Sequence, residues 1–281
     1  MTLDLATIGA TLGPFEQTYD WRDIALYALG LGAGVDDLEF VQDAPPPKVL
    51  PTFGVVPAFK PVFEALKMTG GNLVTLLHSG QNTELIKPFP HEGTMLTTAS
   101  IRGIWDMKIG ALAIIDSETS VGGDTVTRTA WHLLLRGEGK FGGQRPPKLL
   151  RISPPDDDVE PLFSKEVQTE PNQALLYRLS GDINPIHAQP KVALEAGFER
   201  PILHGLCFYG IAGRVALREL AGNDPARFTN FEARFGKVVM PGDTLVVEGW
   251  PLDDPGSAAI TVTIKHSGEK AIANGLFRFR Q

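Results

Sequence analysis

The stretch from Asn172 to Leu220 decides the fold and reads NQALLYRLSGDINPIHAQPKVALEAGFERPILHGLCFYGIAGRVALREL. Its first residues have the apolar spacing of a helix, which Gly181 ends, and Pro185 favours an extended backbone just before it. Asp182 and His187 are therefore predicted to lie in a compact loop at a helix end. Such a loop can direct a carboxylate and an imidazole, the commonest general acid–base pair, at one place.

The second part of this stretch predicts a long buried helix that begins near Gly205. After His204, apolar residues recur at helical spacing as far as Leu220. The first N–H groups of a helix have no intrahelical partner and carry the positive end of the helix dipole. Glycine at this point lets a ligand oxygen come close to the backbone. A helix start that faces an acid–base pair predicts an oxyanion site beside a proton shuttle.

Composition and charge limit the class of protein. The chain has 281 residues, of which 43% are hydrophobic and 21% are charged, as in soluble globular proteins. A formal net charge of −7 without a basic stripe argues against nucleic acid as a partner. No apolar run approaches the ~20 residues of a membrane helix, and the N-terminus lacks the basic region of a signal peptide. The single cysteine, Cys207, fits a reducing compartment, so we expect a cytoplasmic protein with no membrane partner.

The rest of the chain predicts an α+β protein. In the first half, residues 1–14 are expected to be a loose arm or a short helix, and 38–41 and 51–56 to be extended. Helices are predicted at 19–31, 59–68, 172–179, 190–196 and 205–220. Strands are predicted at 73–77, 83–86, 95–107, 111–120, 125–135, 228–235, 244–252, 258–266 and 271–279.

Two domains are predicted, at residues 1–142 and 161–281. The segment between them, 143–160, is rich in Pro, Gly and Asp and is interpreted as a linker. A weak repeat supports this division, because the sequence near 85–96 resembles the sequence near 235–245. The offset of about half the chain suggests duplication of one unit in which an antiparallel sheet packs on a helix.

The strings YRLSGD-x-NP-x-H and GF-x-x-PILHGLC-x-x-G resemble the MaoC-like (R)-specific 2-enoyl-CoA hydratases, or hydratase 2. The resemblance implies a double hotdog, in which two fused antiparallel sheets each wrap a central helix. In that family the N-terminal hotdog is degenerate, with a broken or shortened helix, and it shapes the acyl pocket. The implied reaction is reversible hydration of trans-2-enoyl-CoA to (3R)-3-hydroxyacyl-CoA, with no metal or redox cofactor. Coenzyme A is not counted as a cofactor, because it is part of the substrate. Hotdog proteins commonly dimerise, so a homodimer is expected.

The residues of the decisive stretch can supply what such a hydration needs. A base must activate water, an acid must protonate Cα, and a hydrogen-bond donor must hold the charge on the thioester oxygen. Asp182, His187 and the Gly205 N–H are predicted to fill these roles. Which side chain is the base stays open, because the two are expected to titrate as a coupled pair. Asn184 is predicted to orient the loop or the water, unless it is only a turn asparagine before proline.

The resemblance implies further site residues in both halves of the chain. The segment Leu-His-Ser-Gly-Gln at 77–81 resembles a family segment that contacts coenzyme A, with serine where the family has glycine. Near position 43, aspartate stands where the family has glutamate. The implied residues are Tyr27 and Asp43 near the active site, His78, Ser79 and Lys108 against coenzyme A, and Phe235 along the ligand.

Two alternatives remain open beside the hydratase. A hotdog acyl-CoA thioesterase would direct water at the thioester carbonyl, and an acyl-CoA-binding module would bind without turnover. Asp182, His187 and His204 are also the ligand types of a non-haem iron site. The close H-x-[DE] pair of such sites is missing, so no metal is predicted. His204 and Cys207 are expected to be buried structural residues. Fatty, branched and steroid acyl chains all remain possible.

Overall fold

Ten β-strands form one antiparallel sheet in the computed structural model, which describes residues 3–147, 152 and 159–281. In chain order the strands are β1 (Thr11–Tyr19), β2 (Leu76–Leu85), β3 (Gly93–Asp106), β4 (Gly110–Val121), β5 (Asp124–Arg136), β6 (Phe163–Gln168), β7 (Phe228–Phe235), β8 (Thr244–Pro251), β9 (Ser257–Ile264) and β10 (Lys270–Phe279). The helices are α1 (Trp21–Gly30), α2 (Val55–Met68), α3 (Gln173–Tyr177), α4 (Pro190–Glu195) and α5 (Gly205–Ala221).

The order of the strands repeats about the middle of the sheet. It runs β1-β3-β4-β5-β2-β7-β10-β9-β8-β6, so each half of the chain contributes five strands with the same connectivity. The two halves meet where β2 pairs with β7, between Gly80 opposite Arg234 and Glu84 opposite Asn230. This arrangement agrees with the predicted α+β fold and with the predicted duplication.

A central helix packs on each half of the sheet. In the C-terminal half, α5 has 17 residues and lies on β7, β8, β9 and β10. In the N-terminal half, α2 has 14 residues, contains Pro61 and lies on β3 and β4. Proline lacks the N–H that continues the helical hydrogen bonds. The N-terminal helix is thus the shorter one and lacks one N–H donor at Pro61, although it begins at Val55 and not at the predicted Phe59.

Polar contacts join the two halves of the chain. Asp37 and Arg214 are both buried and form an ion pair of 2.7 Å, to which Arg218 adds a second contact. The side-chain amide of Gln173 donates to the carbonyl of Gly30 at 2.6 Å. The first contact attaches α5 to the loop after α1, and the second attaches α3 to the end of α1.

Three predicted segments of the N-terminal half are wrong. The expected arm at 1–14 ends in the first four residues of β1, an edge strand whose Gly13-Pro14 hides the strand signal. Proline is tolerated there because an edge strand has one unpaired side. Residues 38–41 and 51–56, predicted to be extended, instead form 3₁₀ turns at Leu38–Phe40 and Pro51–Gly54, the second of which runs into α2.

Two further differences concern β2 and β6. The predicted strands 73–77 and 83–86 are one strand, β2, because its polar middle is paired on both sides by β5 and β7. The edge strand β6 was not predicted. Residues 148–151 and 153–158 lie outside the described part of the chain, so the linker at 143–160 and the domain limits stay predictions. None of the described helices combines the length and the hydropathy required to cross a bilayer.

Candidate active site

A short loop after α3 holds the predicted acid–base pair. Gly181 has φ +123°, which favours glycine and turns the chain out of the helix end. Asp182 Oδ1 then accepts the N–H of Asn184 at 3.2 Å, and Asn184 Oδ1 accepts the N–H of Ile186 at 3.2 Å. These bonds lead the chain into the turn Pro185–His187. The bond that Asn184 makes is that of a turn asparagine before proline, and its predicted role toward a water stays a prediction.

The imidazole of His187 is held in one tautomer. Its Nδ1–H donates to the carbonyl of Ile202 at 2.8 Å, so its Nε2 keeps a free lone pair. The ring of His204 stacks on that of His187 with 3.6 Å between centroids and 25° between planes. His204 Nε2–H in turn donates to the backbone carbonyl of Asp182 at 3.1 Å. His204 is thus the buried residue that supports both members of the pair.

The start of α5 lies against the same loop. The first amide bonded to a carbonyl at this helix start is that of Cys207, which donates to His204 O at 3.0 Å. The Gly205 N–H precedes that bond and carries the positive end of the helix dipole. Cys207 is fully buried, and burial raises the pKa of its thiol, so it is a core residue as predicted.

Six of the predicted site residues line one pocket, which has a volume of about 100 Å³. Several aromatic residues complete the wall of this catalytic pocket, and sequence reasoning did not predict them. Strand alternation on β5 places Trp131 and Leu133 on one face, which is the signal that could have found Trp131. The predicted residues in the pocket are His78, Asp182, Asn184, His187, Gly205 and Phe235, and the aromatic ones that were missed are Phe59, Phe63, Trp131, Phe198 and Phe208.

Burial moves the pKa values of the pair in opposite directions. Desolvation raises the pKa of Asp182 to about 7, although the Asn184 N–H and Arg178 oppose the rise. Desolvation lowers the pKa of His187 to about 4. At neutral pH the imidazole is therefore neutral, and the carboxyl group is close to its midpoint. Groups shifted apart in this way are typical of acid–base catalysis.

Two predicted residues, Ser79 and Lys108, line clefts outside the catalytic pocket. Ser79 follows His78 along β2, and its hydroxyl donates to the carbonyl of His132 at 2.9 Å. It lines a cleft on the outer face, which also reaches Phe235. Lys108 is exposed at the turn between β3 and β4 and lines a neighbouring cleft. Phe235 therefore lies between the catalytic pocket and the outer cleft.

The structure does not bring Tyr27 and Asp43 to the pocket. Tyr27 is buried behind the loop, where its ring packs on Phe53 at 5.5 Å and on Tyr177 at 6.0 Å. Asp43 is exposed, because the buried residues on either side of its loop, Phe40 and Val49, leave the middle of the loop in solvent.

The geometry does not fit a metal ion, although Asp182, His187 and His204 offer ligand atoms within 4.8 Å of one another. Because the two imidazoles are stacked, their in-plane lone pairs run nearly parallel. An ion at ~2.1 Å from a nitrogen of each ring would lie far outside both ring planes. Each histidine also uses one ring nitrogen for a backbone carbonyl.

Comparison with known proteins defines the class first. A protein of Mycobacterium tuberculosis described as having a double hotdog fold superposes with a TM-score of 0.60 at 14% identity, over 98% of this chain and 96% of that one. A MaoC-like dehydratase from Phytophthora capsici superposes with a TM-score of 0.89 at 28% identity, over 99% and 98%. The fold is a double hotdog of the MaoC-like dehydratase class, as predicted.

Sequence comparison then gives the family. A MaoC like domain matches residues 155–271, and an MFE-2 hydratase 2 N-terminal domain matches residues 17–137. The chain is 34% identical to "Probable enoyl-CoA hydratase 2" of Dictyostelium discoideum, over 98% of this chain and 96% of that one. It is 39% identical to "3-hydroxyacyl-thioester dehydratase Y" of Mycobacterium tuberculosis, over 95% and 93%. The chain belongs to the MaoC-like hydratase 2 family.

Proposed function

We propose that this protein catalyses the reversible hydration of trans-2-enoyl-CoA to (3R)-3-hydroxyacyl-CoA. The observation that carries the proposal is one pocket lined by Asp182, by His187 with its Nε2 free, and by Gly205 at the start of α5. These are the groups needed to move a proton and to hold charge on a thioester oxygen. The names of the relatives support the same reaction, and the R configuration rests on the family resemblance.

The pair holds one water molecule in an orientation suitable for attack. The carboxylate of Asp182 and the Nε2 of His187 are both hydrogen-bond acceptors, so each takes one hydrogen of the water. A lone pair of the water oxygen is then free to attack Cβ of the enoyl group. Asp182 is the base, because its raised pKa makes it the stronger proton acceptor of the two.

The carboxylate of Asp182 both takes up and returns the proton. Asp182 takes a proton from the water as the C–O bond forms at Cβ, and the electron pair of the double bond moves onto the thioester as an enolate. The Gly205 N–H donates to the oxygen that gains this charge, which is worth more in the transition state than in the ground state. Asp182 then returns its proton to Cα, so the enzyme ends in its starting form.

Coenzyme A is proposed to reach the pocket past Phe235. The clefts on the outer face carry the positive charge of Arg234 and, beside Met107, of Lys108, Lys140 and Arg145. A few local cations suffice for the phosphates of coenzyme A, although the whole chain has a net charge of −7. Hydration transfers no electrons overall, so the proposed enzyme needs no redox cofactor. It is proposed to act as a cytoplasmic homodimer.

The test is an assay with trans-2-enoyl-CoA. We expect loss of the enoyl thioester absorbance and formation of the (3R)-hydroxyacyl product, identified by chiral chromatography. A 3S product would contradict the family reaction. Release of free thiol from saturated acyl-CoA without hydration would indicate a thioesterase, and binding without any turnover would indicate a binding module.

A further inference from the structure

A second cleft lies directly beside the catalytic pocket. This distal cleft has a volume of about 160 Å³. Its walls include Leu26, Phe53, Val56, Leu179 and Gly181. Its rim is polar and exposed, at Asp23 and Lys60, so it opens to solvent.

Phe59 separates the two cavities. Among the described residues, it alone is common to the walls of the catalytic pocket and of the distal cleft. Its ring stacks on that of Phe63 with 4.5 Å between centroids, and it meets the ring of Trp131 edge-on at 6.0 Å. Because aromatic neighbours hold the ring in this way, it acts as a fixed wall and not as a swinging gate.

The distal cleft lies at the end of the pocket toward which an acyl chain would run. Gly181 lines the distal cleft, and the next residue, Asp182, lines the catalytic pocket. In the proposed function, the thioester oxygen lies at Gly205 and the double bond lies at Asp182. Carbons beyond Cβ therefore continue away from Gly205 toward the wall that Phe59 forms.

The catalytic pocket alone is small for a ligand. Its volume is about 100 Å³. Ligand sites more often measure roughly 300–1,000 Å³. A longer chain would need the additional volume that lies behind Phe59.

We propose that Phe59 sets the acyl-chain specificity, ending the acyl site so that the enzyme favours short, unbranched enoyl chains. Removing its ring would join the catalytic pocket to the distal cleft, and a long chain could then run out past the polar rim. This inference rests on the proposed hydratase function.

The experiment compares the parent with Phe59→Ala on trans-2-enoyl-CoA substrates with four and twelve carbons in the acyl chain. The measured quantity is the ratio of kcat/KM for the long substrate to that for the short one. We expect the parent to favour the short substrate, and the variant to raise this ratio at least about tenfold, since even one methylene in an apolar pocket can change rates by that factor. Phe59→Leu serves as a milder change if the alanine variant folds poorly.

A second substitution distinguishes the opened wall from general loosening. Leu26 is half-buried and lines only the distal cleft of the two cavities. Leu26→Trp should refill that cleft, so Phe59→Ala with Leu26→Trp should return the ratio to the parent value. In the parent, Leu26→Trp alone should leave the ratio unchanged, because the chain does not reach it.

The results distinguish failure of the proposed function from failure of the inference about Phe59. If no enoyl-CoA is hydrated by any variant, the proposed function is wrong. Calorimetric dissociation constants for saturated acyl-CoA of the same two lengths then still measure whether Phe59 limits the chain. If substrates are hydrated but the parent accepts both lengths equally, or if Phe59→Ala leaves the ratio unchanged, the inference about Phe59 is overturned.

Discussion

Substitution of Gly205 by alanine tests the oxyanion site most directly. A Cβ at this position would lie 2.9 Å from both Cδ2 and Cε2 of the Phe235 ring, which is closer than real Cβ contacts allow. The ring cannot move aside freely, because Phe208 and His78 pack on it at 5.2 Å and 5.1 Å. The strain must therefore either push Phe235 into the pocket or shift the first turn of α5.

Either displacement spoils the alignment of the Gly205 N–H with the thioester oxygen. Loss of one oxyanion donor lowers the rate by roughly 10²–10³, so we expect Gly205→Ala to reduce kcat for crotonyl-CoA by about that factor. The assay follows the enoyl thioester absorbance, and circular dichroism verifies the fold. Gly34→Ala is the matched control, because Gly34 has no positive φ and a Cβ there would meet open space.

A double variant identifies the source of the loss. Phe235→Leu in the Gly205→Ala background removes the ring that the new Cβ would strike. The double variant should therefore have a kcat at least about tenfold higher than Gly205→Ala alone. If Gly205→Ala turns over crotonyl-CoA at the rate of Gly34→Ala, the thioester oxygen is held elsewhere and the helix end is only structural.

The remaining predictions concern the acid–base pair and one buried ion pair. Asp182→Asn and His187→Gln should each lower kcat by a factor of ~100 or more with unchanged circular dichroism; near-normal rates would refute the mechanism. The base must be a carboxylate, so kcat/KM should fall as the pH falls through about 7, the raised pKa of Asp182. The positive charge of Arg178 lowers this pKa, so Arg178→Gln should shift the fall in kcat/KM to higher pH. If the fall stays at the same pH, it belongs to the titration of another group. Asp37→Asn leaves the buried Arg214 unpaired, so urea unfolding should show a loss of roughly 3–5 kcal/mol; a loss under 1 kcal/mol would contradict this.

The loop of Asp182 and His187 and the long helix could be predicted, because residues within each segment determine their backbone conformation. A glycine that ends a helix, and a proline that fixes the next turn, specify the loop from Asp182 to His187 without help from distant residues. The long helix was equally accessible, since an apolar face at helical spacing begins after His204. It was predicted at 205–220 and is observed as Gly205–Ala221.

The parts that depend on tertiary contacts were not accessible in this way. The middle of β2 is polar, and its strand conformation comes from pairing with β5 and β7 on either side. The wall at Phe59 depends on how α2 lies over β5, which no pattern within α2 specifies. Asp43 was assigned by resemblance alone, and the loop that carries it is exposed in solvent.

The N-terminal half does more than line the proposed acyl site, because it also holds the loop of Asp182 and His187 in place. The carbonyl of Gly30, at the end of α1, accepts hydrogen bonds from the amide of Gln173 at 2.6 Å and from the thiol of Cys207 at 3.4 Å. Gln173 begins α3, which leads into Asp182, and Cys207 lies in the first turn of α5. A single carbonyl of the N-terminal half therefore contacts both of the elements that carry the proposed acid–base loop and the proposed oxyanion donor. Since catalytic groups must be aligned within about 0.5 Å, the proposed active site depends on the contact between both hotdogs.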